Sequence, residues 1–227
     1  MRLCGQLAVP AGAGPHPAVL VMHDARGLGE QTRQSAARLA EQGFVALATD
    51  MYGGGQFHAQ PGGAGPLIGA LLQDQPRLRA RVLAWFEALR AVPGVDPGRI
   101  GAIGYCFGGQ CVLELARSGA PARAVVSFHG LLTSALPARA GEVRAKVLAL
   151  TGAKDSYAPP AHVAAFQQEM TAAGADWQLT VYGEGWHAFT EPDAGSMGTV
   201  PGLRYDATLD RLSWAQATAF LAAHLWP

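Results

Sequence analysis

Two patterns of hydrophobic residues alternate along this chain: short apolar runs, and longer stretches with apolar residues at helical spacing. Short apolar runs occupy residues 18–22, 44–48, 99–103, 124–128, 147–150 and 177–182. Most of them are uninterrupted, which is typical of strands covered on both faces. Other stretches carry apolar residues at helical spacing, and they predict helices at 31–42, around Leu78, Val82, Trp85, Phe86 and Leu89, around Val163, Phe166 and Met170, and at 206–225. This alternation predicts an α/β fold, in which a mainly parallel sheet carries helices on both faces.

Chain length and loop positions extend this picture. The 227 residues show no linker, so a single domain is predicted over residues 1–227. Two glycine-rich stretches, 53–66 and 187–202, follow predicted strands and are predicted to be long loops. Because sites in such sheets form beyond the carboxyl ends of the strands, the loops after strands are expected to hold the chemistry.

Composition narrows the classes of partner. The 17 basic and 17 acidic residues cancel and form no basic cluster, which argues against nucleic acid or an anionic membrane and favours a small-molecule substrate. The three cysteines, Cys4, Cys106 and Cys111, lack metal-ligand spacing and cannot all pair. We therefore predict a soluble, cytoplasmic protein without metal or cofactor. The pattern does not indicate an oligomeric state.

A cysteine lies between a predicted strand and a helical stretch. Residues 104–109 read Gly-Tyr-Cys-Phe-Gly-Gly, which is the layout of a nucleophile elbow with Cys106 in place of the usual serine. Gly104 and Gly108 supply the small residues that the tight turn requires. The following helix N-terminus directs backbone N–H groups at the sulfur and stabilises negative charge there. An isolated cysteine is more often a buried structural residue, but the flanking glycines and the strand favour a nucleophile.

Elbow hydrolases supply their acid and their histidine later in the chain, in that order. Asp155 follows the predicted strand 147–150; alternatively it is a turn aspartate that caps backbone N–H groups. His187 follows the strand 177–182, and the alternative is a hydrogen-bonded loop histidine. The other histidines either precede Asp155 or fall in predicted helices: His16, His23, His58, His129, His162 and His224. Together, the residue types and their order predict a triad of Cys106, Asp155 and His187.

An oxyanion hole requires two backbone N–H donors. The N–H of Phe107, directly after the nucleophile, is predicted to be the first. The second is expected in the loop after strand 18–22, where we favour Ala25. The same loop carries Asp24 toward the site; alternatively, Asp24 caps the following helix or pairs with Arg26.

These motifs resemble the dienelactone hydrolase family of α/β-hydrolases. The resemblance covers most of the chain and rests on residues 23–27, 50–52, 104–109, 152–155 and 187–189. It implies an α/β-hydrolase fold. It also implies the following roles: Cys106 as nucleophile, Asp155 as acid, His187 as base, and the N–H groups of Ala25 and Phe107 as the oxyanion hole. A family glutamate that keeps the resting cysteine neutral and then helps to ionise it corresponds to Asp24.

The sequence departs from the family pattern where substrate is recognised. The family has an arginine just past the histidine that pairs with the substrate carboxylate, whereas this chain has the run Phe189, Thr190, Glu191. A second family arginine falls in the region 53–81, where three arginines are more simply interpreted as a solvated helix face: Arg77, Arg79 and Arg81. A neutral ester or lactone is therefore at least as plausible a substrate as an anionic dienelactone.

We predict a hydrolase that cleaves a small ester or lactone through an acyl-enzyme on Cys106. Thiol nucleophiles suit activated esters, so little amidase activity is expected. The alternative from another class is a catalytically silent ligand-binding protein that keeps the hydrolase fold. A third hypothesis makes Cys106 a redox-sensitive thiol, although a disulfide with Cys111 on the following helix is not expected.

Overall fold

The computed structural model describes residues 2–197 and 201–226. The strands are β1 (Gln6–Ala8), β2 (His16–Met22), β3 (Val45–Ala48), β4 (Val95–Tyr105), β5 (Ala124–Phe128), β6 (Lys146–Gly152) and β7 (Trp177–Tyr182). The helices are α1 (Glu30–Glu41), α2 (Pro61–Leu72), α3 (Gln75–Arg90), α4 (Phe107–Arg117), α5 (Pro160–Ala172) and α6 (Ala207–Leu225), with a short 3₁₀ helix at Ala194–Ser196.

The strands form one sheet in the order β1-β3-β2-β4-β5-β6-β7. Strand β1 runs antiparallel to β3, and all other neighbouring pairs are parallel. The six predicted strands and the mainly parallel sheet are thus confirmed. Strand β1 was not predicted because it has only three residues, lies at the sheet edge and is largely exposed, so it leaves no apolar run in the sequence.

Helices cover both faces of this sheet. The apolar run of β2 is unbroken because its side chains are buried on both faces. Leu20 and Met22 pack in one buried cluster with residues of α3, α4 and α5, while Val19 and Val21 pack in another with residues of α1 and α6. Because successive side chains of a strand point to opposite faces, a strand covered on both sides needs apolar residues at every position. The four predicted helices are also confirmed.

The two predicted loops contain more regular structure than expected. The prediction of a loop over 53–66 is wrong beyond residue 60, because α2 begins at Pro61. Its glycines and Pro66 disfavour a helix in the sequence, but Ala64 and Leu71 are buried against the core and stabilise one. The predicted loop 187–202 contains the 3₁₀ helix, and its residues 198–200 lie outside the described part of the chain. No helix within the described ranges is both long and apolar enough to cross a bilayer.

Candidate active site

Cys106 lies at a sharp turn between β4 and α4. Its backbone has φ 52° and ψ −113°, a left-handed conformation that a non-glycine residue adopts only at an energetic cost. A Cβ built on Gly104 would lie 2.0 Å from the backbone oxygen of Gly108, and one built on Gly108 would lie 2.3 Å from that of Met22. The two glycines predicted for a nucleophile elbow therefore lie where another backbone segment packs so closely that a Cβ would not fit.

The loops after β6 and β7 bring Asp155 and His187 to this turn. His187 Nε2 lies 3.0 Å from the Cys106 sulfur, and His187 Nδ1 lies 2.9 Å from Asp155 Oδ2. The other oxygen of Asp155 accepts hydrogen bonds from the N–H groups of Tyr157 at 2.8 Å and Ala158 at 3.2 Å. The carboxylate is therefore held with one oxygen directed at the imidazole, and an imidazole placed in this way can accept the thiol proton.

Electrostatics at His187 favour its protonated form. The residue is only 2 % exposed, and burial by itself lowers the pKa. The negative charge of Cys106 and the hydrogen bond to Asp155 outweigh burial and raise the pKa of His187 to about 10. A proton leaving the sulfur thus has a stable position on the imidazole.

The loop between β2 and α1 is fixed by buried polar contacts. Met51 N–H donates to His23 Nε2 at 3.0 Å, so the His23 proton resides on Nδ1, which donates to the backbone oxygen of Asp24 at 2.5 Å. The Tyr52 hydroxyl donates to the backbone oxygen of Ala25 at 2.7 Å. Ala25 lines the cavity that holds Cys106. Phe107 opens α4, and its N–H belongs to the first helical turn, whose N–H groups have no intrahelical acceptor.

Asp24 faces Arg26. One carboxylate oxygen accepts from the Arg26 backbone N–H and the other from Arg26 Nε, both at 2.8 Å. The same guanidinium contacts Glu191 at 2.9 Å and Asp193 at 2.5 Å. Pairing with Arg26, one of the alternatives considered from the sequence, is thus observed, and the role of Asp24 at the thiol stays a prediction.

A cavity of about 230 Å³ opens beside the sulfur. Most of its wall is apolar and comes from Ile68, Leu72, Leu131, Ala188, Met197 and Leu203. A second, more polar cavity of about 250 Å³ shares Asp24, Arg26 and Glu191 with the first. Within residues 2–197 and 201–226, no group of three or more His, Cys, Asp or Glu residues is placed to hold a metal ion.

Comparison with known proteins identifies the family. The profile of the dienelactone hydrolase family matches residues 3–225. The chain belongs to this family. The predicted family and the α/β-hydrolase fold are therefore confirmed, and so is the enzyme class, a carboxylic ester hydrolase.

Relatives of this dienelactone hydrolase family member agree in fold over nearly the whole chain. The solved structure m3DLH is 36 % identical and has a TM-score of 0.90, covering 97 % of this chain and 92 % of its own. The crystal structure of the dienelactone hydrolase-like promiscuous phosphotriesterase P91 from metagenomic libraries is 35 % identical, with a TM-score of 0.89 and 99 % coverage of both chains. A putative carboxymethylenebutenolidase from Yersinia pestis is 30 % identical, and the match covers 78 % of this chain and 69 % of that protein.

Two aromatic side chains of this dienelactone hydrolase family member pack on His187 and were not predicted. The ring of Tyr157 lies 4.5 Å from that of His187, and the ring of His129 lies 5.3 Å from it, edge to face. His129 Nε2 lies 2.7 Å from the hydroxyl of Thr190, and burial, together with the charge of His187, holds the pKa of His129 well below its usual value. Because His129 directly follows β5, its position at a strand end was the signal that could have identified it.

Proposed function

We propose that this protein hydrolyses small carboxylic esters and lactones through a thioester on Cys106. The observation that carries the proposal is the continuous hydrogen-bonded series from the Cys106 sulfur through His187 to Asp155, at a strand-to-helix turn. Cys106 is the nucleophile, His187 the general base and acid, and Asp155 the group that orients the imidazole.

The reaction follows from this geometry in two halves. His187 Nε2 takes the thiol proton while the sulfur attacks the carbonyl carbon, and the N–H groups of Phe107 and Ala25 stabilise the oxyanion. The intermediate then expels the alkoxide, which receives the proton from His187. The acyl group remains on Cys106 as a thioester. Water, deprotonated by His187, attacks the thioester and releases the acid and the free thiol. With a lactone the alkoxide stays attached, so the product is a hydroxy acid.

The sulfur limits which substrates react well. When the tetrahedral intermediate collapses, it can expel either the thiolate or the leaving group of the substrate. If that leaving group is poor, the thiolate is expelled instead and the starting ester is formed again. Activated esters and lactones with stabilised leaving groups are therefore the expected substrates, and amides are not. Hydrolysis of an aryl amide at a rate near that of the matching aryl ester would contradict this part of the proposal.

The test compares the parent enzyme with Cys106→Ala on an aryl acetate and on a neutral lactone. We expect turnover by the parent, loss of at least about 10³-fold in kcat/KM in the variant, and an acetyl adduct on Cys106 in rapidly quenched parent enzyme. Undiminished hydrolysis by Cys106→Ala would refute the thiol mechanism. No turnover and no adduct with any ester would favour the alternative of a silent ligand-binding protein.

A neutral phosphotriester is a second candidate substrate. The relative P91, 35 % identical over 99 % of both chains, is named as a promiscuous phosphotriesterase, and the apolar wall beside Cys106 suits uncharged ester groups. Sulfur would attack phosphorus, form an S–P bond and expel an aryloxide, and water would then cleave the S–P bond. Aryloxide release from an aryl dialkyl phosphate should depend on Cys106. Equal rates for the parent and Cys106→Ala would dismiss this candidate.

The remaining assignments are also proposals. We place this enzyme in the cytoplasm as one domain acting on a small molecule, a location supported by the three cysteines, which are all unpaired. Cys111 is fully buried within α4, which is consistent with a packing role rather than a redox partnership with Cys106.

A further inference from the structure

Arg26 is the one arginine or lysine among the described residues that line the cavity beside Cys106. In a cavity whose wall is otherwise mainly apolar, a free guanidinium would be the natural binding group for a substrate carboxylate. Arg26 is 4 % exposed, so its hydrogen-bond partners are fixed by the protein interior. Whether it can receive a substrate anion depends on those partners.

All three side-chain nitrogens of Arg26 already donate to carboxylates. Nε lies 2.8 Å from Asp24, Nη1 lies 2.5 Å from Asp193, and Nη2 lies 2.9 Å from Glu191. Asp24 comes from the same loop, whereas the other two come from the loop after β7. A substrate carboxylate that approaches Arg26 would therefore meet a guanidinium that is already paired with three carboxyl groups, and it would compete with them for the positive charge.

Glu191 pairs with Arg26 at the wall of this cavity. It is 1 % exposed and lines both the cavity beside the sulfur and the polar cavity behind it. Its Oε2 accepts from Arg26 Nη2, while its Oε1 has no hydrogen-bond partner among the described residues. A side-chain carboxyl with a spare oxygen thus lies at the cavity wall, beside the guanidinium that would otherwise attract a substrate carboxylate.

The charges of the cluster oppose an anion as well. Burial, together with the charge of Asp24, raises the pKa of Glu191 well above its usual value. Even with Glu191 neutral, the single positive charge of Arg26 faces the two carboxylates of Asp24 and Asp193, so the cluster is negative. The charge of Asp24, which lines the apolar cavity, is weakly screened there, whereas the half-exposed Asp193 contributes less.

We propose that Glu191 is an internal ligand of Arg26, and that by pairing with this guanidinium at the cavity wall it makes the site select uncharged esters and lactones over those that carry a carboxylate. This inference rests on the proposed function. Glu191 acts here as a specificity-determining residue, through Arg26.

The first test probes the charge preference without requiring turnover. Cys106 is alkylated with neutral iodoacetamide and with anionic iodoacetate, and modification is followed on the Cys106 peptide by mass spectrometry. In Glu191→Ala we expect the iodoacetate-to-iodoacetamide ratio of rate constants to rise about ten-fold over the parent, the effect of one hydrogen bond to a charged group. Glu191→Gln keeps an oxygen on Nη2 and should stay within about three-fold of the parent.

Two further variants make the test specific. Glu87→Ala removes an exposed acidic residue of α3 and should leave the ratio unchanged, which excludes an effect of net charge. Asp193→Asn removes the charge of the half-exposed carboxylate that pairs with Arg26, which makes the cluster less negative and should raise the ratio by a smaller factor. It is a second route if Glu191→Ala fails to fold. An unchanged ratio in folded Glu191→Ala or, if that variant does not fold, in Asp193→Asn would overturn the inference.

Turnover then separates this inference from the proposed function. The parent should hydrolyse an aryl butanoate with a kcat/KM at least about ten-fold above that of the aryl monoester of a dicarboxylic acid of matched length, and Glu191→Ala should narrow the gap mainly through KM. If the parent hydrolyses both esters equally, the inference fails while the esterase function stands. If it hydrolyses neither, the proposed function fails.

Discussion

Replacing Asp155 by asparagine removes one charge from the proposed reaction and reverses the hydrogen bond to His187. Asparagine keeps the shape of the side chain, and its oxygen can still accept from the N–H groups of Tyr157 and Ala158. Its NH₂ group then faces His187 Nδ1, which must become an acceptor. The ring proton therefore moves to Nε2, facing the sulfur, and the imidazole can no longer take the thiol proton.

The magnitude follows from the distance between the two groups. A unit charge 2.9 Å from Nδ1 stabilises a protonated imidazole by about 6 kcal/mol at an effective dielectric constant of about 20, and by about 4 kcal/mol if the charge is placed about 4 Å away, nearer the ring centre. Since each ~1.4 kcal/mol is a factor of ten in rate, kcat/KM should fall by about 10³ to 10⁴. The backbone contacts with Tyr157 and Ala158 persist, so the variant should still fold.

The assay is hydrolysis of an aryl acetate at neutral pH, paired with urea unfolding of each variant. Asp176→Asn is the matched control, because Asp176 is an exposed carboxylate paired with Lys146 and its loss should leave kcat/KM unchanged. If Asp155→Asn folds normally and keeps kcat/KM within ten-fold of the parent, the charge of Asp155 does not act through His187.

Three other substitutions give further tests. Cys106→Ala should lower the pKa of His187 from about 10, because the sulfur charge is the largest contribution that raises it; an unchanged NMR titration of the imidazole would contradict this. Gly104→Ala should destabilise the fold by more than about 3 kcal/mol and abolish hydrolysis, since its Cβ would meet the backbone oxygen of Gly108 at 2.0 Å. In Gly62→Ala the Cβ meets nothing within 4 Å, so stability should be unchanged or should rise by up to about 1 kcal/mol; urea unfolding distinguishes the two glycine variants.

Local pattern was sufficient for most of the fold. Strands such as β5 are buried on both faces, so their apolar runs are visible without any knowledge of their neighbours. Helix α2 was missed for the opposite reason: its glycines and Pro66 give no local preference for a helix, and burial of Ala64 and Leu71 against other elements supplies the stability. Secondary structure that depends on tertiary contacts is not encoded in a short window of sequence.

The positions of Cys106, Asp155 and His187 could be predicted because a parallel sheet converts chain order into proximity. Each residue follows a strand, and the carboxyl ends of β4, β6 and β7 lie at one edge. The same rule applies to His129 after β5, but a histidine that packs on another side chain carries no motif. Its contact with Thr190 joins residues 61 positions apart in sequence.

The charge cluster around Arg26 shows where sequence comparison alone would mislead. In the family pattern a cation follows the histidine, and here Glu191 follows it, so the sequence indicates a lost arginine. The structure places Arg26, from the loop after β2, against Glu191 across 165 residues of sequence. The site therefore retains a guanidinium but pairs it with three carboxyl groups. Since Glu191 and Asp193 come from the loop after β7 and Arg26 from the loop after β2, a change in either loop alters substrate charge preference without moving Cys106, which is fixed by β4 and α4.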